Sequence, residues 1–412
     1  MKSLLQIFRV LHHQMSDECG ISTPRDLDTV ARRVENEGLS FLAITLPAFA
    51  KAFEQCLASG QVHPSSFPFF RKKKGGVIPA FLQGFLGLVF DPSTGILKDN
   101  PNTDAILAVR QLCLAFKKYR SECSPQRVRN AFEDYILTDL SVEDFELEVA
   151  EHIEYEFSHA SKILFGPVLD SIEKRLSEDP SSVVPRHGPG VTAEKYIGNK
   201  KYESRIWTQR LLTYFSPIQF LVPNLGHVEF GKENLGFSIL SPGAEPPVRV
   251  ITVPKTLKTP RIIAIEPVHM QYVQQGLLEM LLPALESKRM YNSLGFSDQG
   301  ANQELARSGS IDGSFATLDL SEASDRVSNL LVKAMFRNWP TLSGMVQACR
   351  SSKADVPGFG IHSLAKFASM GSALCFPVEA MFFLTCLFLG WRERTGTSIV
   401  AKRRQTFLRQ VR

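Results

Sequence analysis

The chain has 412 residues, of which 44% are hydrophobic and 22% charged. That balance excludes a disordered or fibrous chain and leaves room for a sizeable core in two or three domains. The net charge of +5 (47 Lys and Arg against 42 Asp and Glu) is matched by Lys402, Arg403, Arg404, Arg409 and Arg412 in the acid-free stretch 399–412. The rest of the chain is neutral overall, which excludes a uniformly basic binder: any RNA site in the body must be a local patch.

Taken in order, Met1 to Val10 is too short an apolar run for a secretory signal. The seven cysteines (Cys19, Cys56, Cys113, Cys123, Cys349, Cys375, Cys386) form no CxxC pair. Their scatter points to reduced thiols in a cytoplasm, not to a disulfide frame or zinc knuckle. The first 180 residues read mainly helical. Apolar residues recur at helical spacing from Asp26 to Glu35 and from Ser40 to Pro47, and Ser141 to Ile153 continues as a long acidic amphipathic segment. Between them, Phe70-Arg-Lys-Lys-Lys-Gly-Gly is a basic loop. From Pro185 to Pro260 the composition shifts to Gly, Pro and short β-branched runs, which predicts strands and excursions. Leu318 to Val327 and Ser363 to Trp391 predict a short strand, a helix and a long apolar helix. No repeat or low-complexity tract appears. The fold class is α+β.

Three constellations carry chemistry. In Thr317-Leu-Asp-Leu-Ser-Glu-Ala-Ser-Asp-Arg, an apolar run (Phe315, Ala316, Leu318, Leu320) delivers Asp319, and a polar turn delivers Asp325 six residues on. An acid at the end of a buried strand is costly unless a cation or donor meets it, and Mg2+ takes one or two protein carboxylates beside water and phosphate. The plainer reading of Asp325, equally weighted, is that it or Ser324 caps a helix from Arg326 to Phe336.

In Val253-Pro-Lys-Thr-Leu-Lys-Thr-Pro-Arg, Lys255, Lys258 and Arg261 recur every three residues with no acid among them, and Arg249 lies just upstream. Cations so spaced suit a triphosphate, although a charge run is more commonly a solvated hairpin. In Lys366-Phe-Ala-Ser-Met-Gly-Ser, Ser369, Gly371 and Ser372 make a hydroxyl-rich turn ahead of the long helix. Such a turn allows close backbone approach to a nucleic-acid strand and hydrogen bonds to a sugar. An ordinary cap with a glycine hinge is the alternative. Residues 373–391 are long and apolar enough to span a membrane, but Pro377, Glu379 and the expected absence of a second such stretch favour a buried core helix. Arg71, Lys72, Lys73, Lys74 and His187 are weaker candidates for contact with an RNA backbone, and solvated loops explain them as well.

Read together, these stretches resemble the motifs lettered F, A and B of viral RNA polymerases, in that order. The wording is most similar to the replicase β subunit of RNA bacteriophages (levivirus-like), through VPKTLKTPRIIAIEP at 253–267, ATLDLSEASDRVS at 316–328 and FASMGSALCFPVEAMFF at 367–383, with RHGPG at 186–190 and DQGANQELA at 298–306. The resemblance implies an RNA-directed RNA polymerase, a nucleotidyltransferase copying a positive-strand phage genome, with a right-hand fold. Residues 1–314 would be a fingers-like region, 315–400 a partial palm and 401–412 a basic tail outside the family pattern. It also implies that Asp319 is catalytic and a metal ligand, that Asp325, Ser369, Gly371 and Ser372 meet the nucleotide, and that Lys255, Lys258 and Arg261 line the triphosphate entry. Two Mg2+ ions (or Mn2+) are the implied cofactors. The implied partners are RNA template and product, ribonucleoside triphosphates and host translation proteins, without a membrane, in the cytoplasm of a bacterial host.

The pattern departs from the family after Val400. A Tyr-Gly-Asp-Asp hairpin is expected there, and Ala401-Lys-Arg-Arg404 stands in its place. The expectation is a truncated and inactive chain, through a shift of reading frame near residue 400, or else a short protein with a non-catalytic role in binding RNA and nucleotides. A palm without its remaining strand would be marginal, with the long helix losing cover. A reverse transcriptase shares the palm logic, but it would prefer an aromatic residue near Asp319.

Overall fold

The computed structural model describes residues 2–410 except 64, 73–75, 222–235, 291–292, 317 and 397–400. Helices fill the first 178 residues, as the spacing predicts: α1 (Lys2–Glu18), α2 (Pro24–Glu37), α3 (Leu46–Ser59), α4 (Gln83–Val89), α5 (Thr103–Leu114), α6 (Pro125–Glu148) and α7 (Glu151–Glu178). The helix expected from Ser40 opens as a wide turn, Phe41–Thr45, in which the Leu46 N–H reaches back five residues to the Phe41 carbonyl. Pro47 has no N–H with which to tighten it. The acidic segment is two helices rather than one. Ala150 is extended, and Glu151 and Glu154 fall in the first turn of α7, where the helix dipole favours them.

By packing, the chain divides into two compact units, residues 1–131 with 252–261, and residues 132–251 with 262–412. The first has a phenylalanine-rich core, with Phe49 4.5 Å from Phe67 and 4.8 Å from Phe70 between ring centroids. The Arg33 guanidinium lies 4.6 Å from the Phe41 ring centre. Asp26 is buried there and accepts the Leu82 N–H at 2.8 Å, at a residue held in the left-handed region with φ 52°.

The second unit is built on α7. Its side chains Phe157, Leu164, Phe165 and Leu169 share one core with Trp207, Leu277, Leu331, Trp339, Met381 and Phe388. After α7 come β1 (Ile206–Thr208), the single turns α8 (Gln209–Leu212) and α9 (Pro217–Phe220), β2 (Ser238–Leu240), β3 (Val248–Val253) and β4 (Arg261–Ile265). Then follow α10 (Val268–Leu285), α11 (Gly300–Asp312), α12 (Asn329–Phe336), α13 (Pro340–Ala348), β5 (Lys353–Val356), β6 (Gly360–Ser363), α14 (Cys375–Thr395) and α15 (Ala401–Gln410). Strands β1 and β2 pair in parallel, and a four-stranded sheet has the order β4-β3-β5-β6. Its centre is parallel, with Val248 opposite Ala354, and its edge is the antiparallel hairpin β5–β6. That hairpin closes through Val356-Pro357-Gly358-Phe359, with the Phe359 N–H donating to the Val356 carbonyl and Gly358 at φ +80°. Proline then glycine at the two central positions is what a type II turn requires.

Two predictions are corrected here. No strand forms at 315–320 among the described residues: the segment is exposed coil, with Leu318 88% exposed. An alternating apolar run becomes a strand only where a neighbour completes its ladder, and none of the described strands does. Asp325 does not cap a helix from Arg326. Residues Ala323–Arg326 form a short 3-10 turn, and α12 starts later, with Ser328 Oγ accepting the Leu331 N–H.

The basic stretch after residue 400 is helical. Phe407 and Leu408 of α15 are buried, and the Phe407 ring lies 5.0 Å from Phe388 and 5.7 Å from Trp391 of α14. The Arg404 Nε donates to the Leu164 carbonyl at 2.8 Å. The long helix α14, expected to lose cover, is thus partly covered by the basic segment outside the family pattern. Two stretches, Phe41–Ser59 and Cys375–Thr395, are long and apolar enough to cross a membrane. Both place side chains in the cores. The seven cysteines are free thiols, in line with the reading of their spacing.

Candidate functional site

Asp319 lies in the exposed coil before the 3-10 turn and has no hydrogen bond or ion pair among the described residues. Asp325, six residues on, is held very differently. The Lys366 Nζ lies 3.0 Å from its Oδ1, with the Lys366 side chain fully buried and that of Asp325 20% exposed. The contact is an ion pair without the alignment of a hydrogen bond. The same ammonium stands 3.4 Å from the centre of the Tyr135 ring, where the π face offsets part of its desolvation. The Tyr135 hydroxyl shares a hydrogen bond of 2.9 Å with Ser369 Oγ, and burial pushes that phenol well above its usual range. Lys366 is fixed by its own backbone too, since Asp139 of α6 accepts the N–H groups of Ala365 and Lys366 at 3.1 and 3.0 Å.

The hydroxyls of the Ser-Gly turn point inward and are held by hydrogen bonds. Ser369 and Ser372 are 6% and 9% exposed. Ser372 Oγ donates to Gln274 Oε1 at 3.2 Å and accepts the Leu374 N–H, while Gln274 Nε2 donates to the Cys349 carbonyl at 2.8 Å. Gly371 sits at φ +134°, and a Cβ there would meet the Ala264 carbonyl oxygen at 2.0 Å. The Ala264 N–H donates to the Met370 carbonyl at 2.9 Å, so the turn lies directly on β4. Glycine is needed for this approach.

Two carboxyls flank the turn, Glu379 half-buried and Glu266 buried. Burial, and secondarily the Asp325 charge, raises Glu379 on α14, whose Oε2 has no partner among the described residues. Glu266, just after β4, is pushed up to about 7 by burial, against the opposing effects of its Ser351 and Gln274 hydrogen bonds and the Arg350 charge. Arg350 is itself pulled down to about 10 by burial. Among the described residues no group of three His, Cys, Asp or Glu side chains is placed to hold a metal ion.

The cationic stretch belongs to the other compact unit. Lys255, Lys258 and Arg261 are all exposed, on a tip pinned by buried Leu257, whose carbonyl accepts from Arg127 Nη1 at 3.1 Å. None of the three forms an ion pair among the described residues. Arg249 is committed elsewhere, its Nε donating to the Ala193 carbonyl at 3.0 Å. Arg71 and Lys72 are exposed, whereas Lys73 and Lys74 lie outside the described residues. His187 is half-buried between Tyr202 and Tyr272. Of the predicted residues in the second unit, the structure brings Asp325, Ser369 and Ser372 into one network, through Lys366, Tyr135 and Gln274. Sequence reasoning missed those three. Lys366 opens the quoted motif and was within reach of it; Tyr135 and Gln274 carry no local signal.

Residues 244–387 match the family described as RNA replicase, beta-chain, a stretch containing the cationic hairpin, the Asp319 segment and the Ser-Gly turn. The similarity is thus to viral RNA replicases, and within that class to those of RNA bacteriophages. The RNA-directed RNA polymerase beta chain of Enterobacteria phage GA is 37% identical over 134 residues, 32% of this chain and 24% of that protein. That of Escherichia phage MS2 is also 37% identical over 134 residues, 32% of this chain and 23% of that protein. The RNA-directed RNA polymerase subunit beta of Escherichia virus Qbeta is 33% identical over 135 residues, 33% of this chain and 22% of that protein. The resemblance read from the motifs holds over this stretch, which spans about a quarter of the length of these relatives.

Proposed function

We propose that this chain carries the nucleotide-binding face of an RNA-directed RNA polymerase of an RNA phage, acting on an RNA template and ribonucleoside triphosphates in the bacterial cytoplasm. The match over 244–387, which spans three motifs in polymerase order, carries the reading. In a right-hand arrangement, residues 1–314 would serve as fingers and 315–400 as palm. Asp319 fits a metal ligand, since it is an exposed carboxylate with no competing partner among the described residues. Mg2+ bound there would stabilise the charge on attacking and leaving oxygens. Lys255, Lys258 and Arg261 would neutralise the triphosphate. Asp325, anchored by Lys366 through Oδ1, keeps Oδ2 for a ribose hydroxyl, while Gly371 and the serines fix the wall behind it.

A second reading is RNA and nucleotide binding without catalysis. It is favoured by the inward hydrogen bonds of Ser369 and Ser372 and by the neutralisation of Asp325. Primer extension on an RNA template with Mg2+, alongside filter binding of the same RNA, separates the two. Extension abolished by Asp319→Asn supports the polymerase. Retained RNA binding with no extension by the wild-type chain supports the second reading.

A further inference from the structure

A cavity of about 300 Å³ opens in the second unit, apart from the Asp319 segment and the Ser-Gly turn, between the loop after Pro185 that carries His187, the turn at 198–204 and the start of α10. This lies at the small end of the range of ~300–1,000 Å³ typical of small-molecule sites. Its walls combine flat aromatic surface with buried polar groups. The His187 ring lies 4.4 Å from Tyr272 at 32° and 4.5 Å from Tyr202 at 84°. His269, in the first turn of α10, is 2% exposed and lines the cavity, yet neither ring nitrogen has a hydrogen-bond partner among the described residues. Lys201 is equally buried and gives its ammonium to the Gly188 carbonyl.

A buried imidazole with two unpartnered nitrogens is costly unless a ligand or water meets them. Burial pulls both His187 and His269 down to about 4, so both rings are neutral near pH 7. Each therefore presents one donor and one acceptor and carries no charge to draw an anion. The cation in the wall, Lys201, is already bound to a carbonyl. A purely apolar ligand would leave the His269 nitrogens unmet.

We propose that this cavity takes a nucleobase, stacked on a cavity-facing ring of the His187, Tyr202 and Tyr272 cluster with its polar edge against His269. A base has the flat π face that aromatic platforms recognise in single strands, together with donors and acceptors on one edge. The site is separate from the Asp319 segment and needs no metal ion, so it stands whether or not the chain polymerises RNA.

The test is ligand-detected saturation-transfer NMR on the full chain in EDTA. The probes are adenosine, guanosine, cytidine, uridine, ribose 5-phosphate and an eight-residue oligouridylate. Base protons of at least one nucleoside should saturate, and ribose 5-phosphate should not. Tyr272→Leu and His269→Leu, each checked by circular dichroism, should weaken the nucleoside about tenfold. Photo-cross-linking of 8-azidoadenosine or 4-thiouridine to the unmodified chain needs no variant, and should label peptides that contain 187–207 or 268–272. Tighter binding of the oligomer than of uridine assigns the site to a strand, and the reverse to a free nucleoside. Ribose 5-phosphate saturating as strongly as nucleosides, cross-links confined elsewhere, or no ligand signal at all (water alone meeting His269) would each overturn the proposal. Because this binding assay runs in EDTA and needs neither metal nor catalysis, a negative primer-extension result leaves the proposal untouched.

Discussion

Lys366 and Asp325 form a buried ion pair, Nζ to Oδ1 at 3.0 Å, with the ammonium roofed by the Tyr135 ring at 3.4 Å. Removing one member of such a pair leaves the other uncompensated in a poorly hydrated site. Lys366→Met should therefore lower unfolding stability by about 3 kcal/mol, while the double variant with Asp325→Asn should recover a good part of that loss. Urea unfolding of the four proteins of the cycle gives the coupling directly. Additive losses would mean that the two charges do not interact.

Glu266 makes stability depend on pH. Folding raises its carboxyl from an ordinary 4.5 to about 7, so between those values the native state keeps a proton that the unfolded chain has released. Stability from this group falls as pH rises through that window, and the whole cost is present above it. Glu266→Gln should be more stable than wild type by roughly 2–3 kcal/mol at pH 8 and indistinguishable from it near pH 4. Denaturant midpoints at pH 4, 6 and 8 check this; a gap constant with pH would exclude a raised carboxyl.

Two glycines offer opposite outcomes for one substitution. Gly371→Ala would press a methyl group into the Ala264 carbonyl at a φ of +134°, and should cost at least ~3 kcal/mol. Gly390, within α14, has open space where a Cβ would stand, with nothing inside 4 Å, and Gly390→Ala should stabilise by about 0.5–1 kcal/mol. Melting temperatures shifted in opposite directions are the expected result.

Glu173 on α7 caps α13 from outside. Its Oε1 accepts the Thr341 N–H at 2.8 Å and its Oε2 the Leu342 N–H at 2.9 Å, while Trp339 offers no side-chain cap of its own. Glu173→Ala should cost about 2 kcal/mol, and Glu173→Gln, which keeps one accepting oxygen, about half as much. Equal losses in equilibrium unfolding would show that the cap needs the charge or both oxygens together.

The sequence exposed the motif residues because each group lies within a few positions of its neighbours. Asp319 and Asp325 lie six residues apart in one quoted stretch, and Ser369, Gly371 and Ser372 share a turn. What holds them was not legible. Tyr135 meets Ser369 across 234 residues, and an isolated tyrosine in an amphipathic helix gives no hint of that contact. The misread strand at 315–320 has the right alternation, but alternation reports faces and not whether a neighbouring strand is present. The helical first 178 residues were legible because helix periodicity is local. The two corrections within it, at Phe41–Thr45 and Ala150, turn on where individual backbone hydrogen bonds close.

The smaller compact unit is discontinuous, joining residues 1–131 with 252–261. A ribosome emitting this chain delivers its first five helices early, but the segment with Leu257 at its centre arrives only after 120 further residues of the other unit. At ~5–20 residues per second that is on the order of ten seconds of waiting. Until then the unit lacks the segment in which Leu257 is buried and its carbonyl accepts from Arg127 Nη1, so the nascent N-terminal third waits incomplete while the other unit is being made.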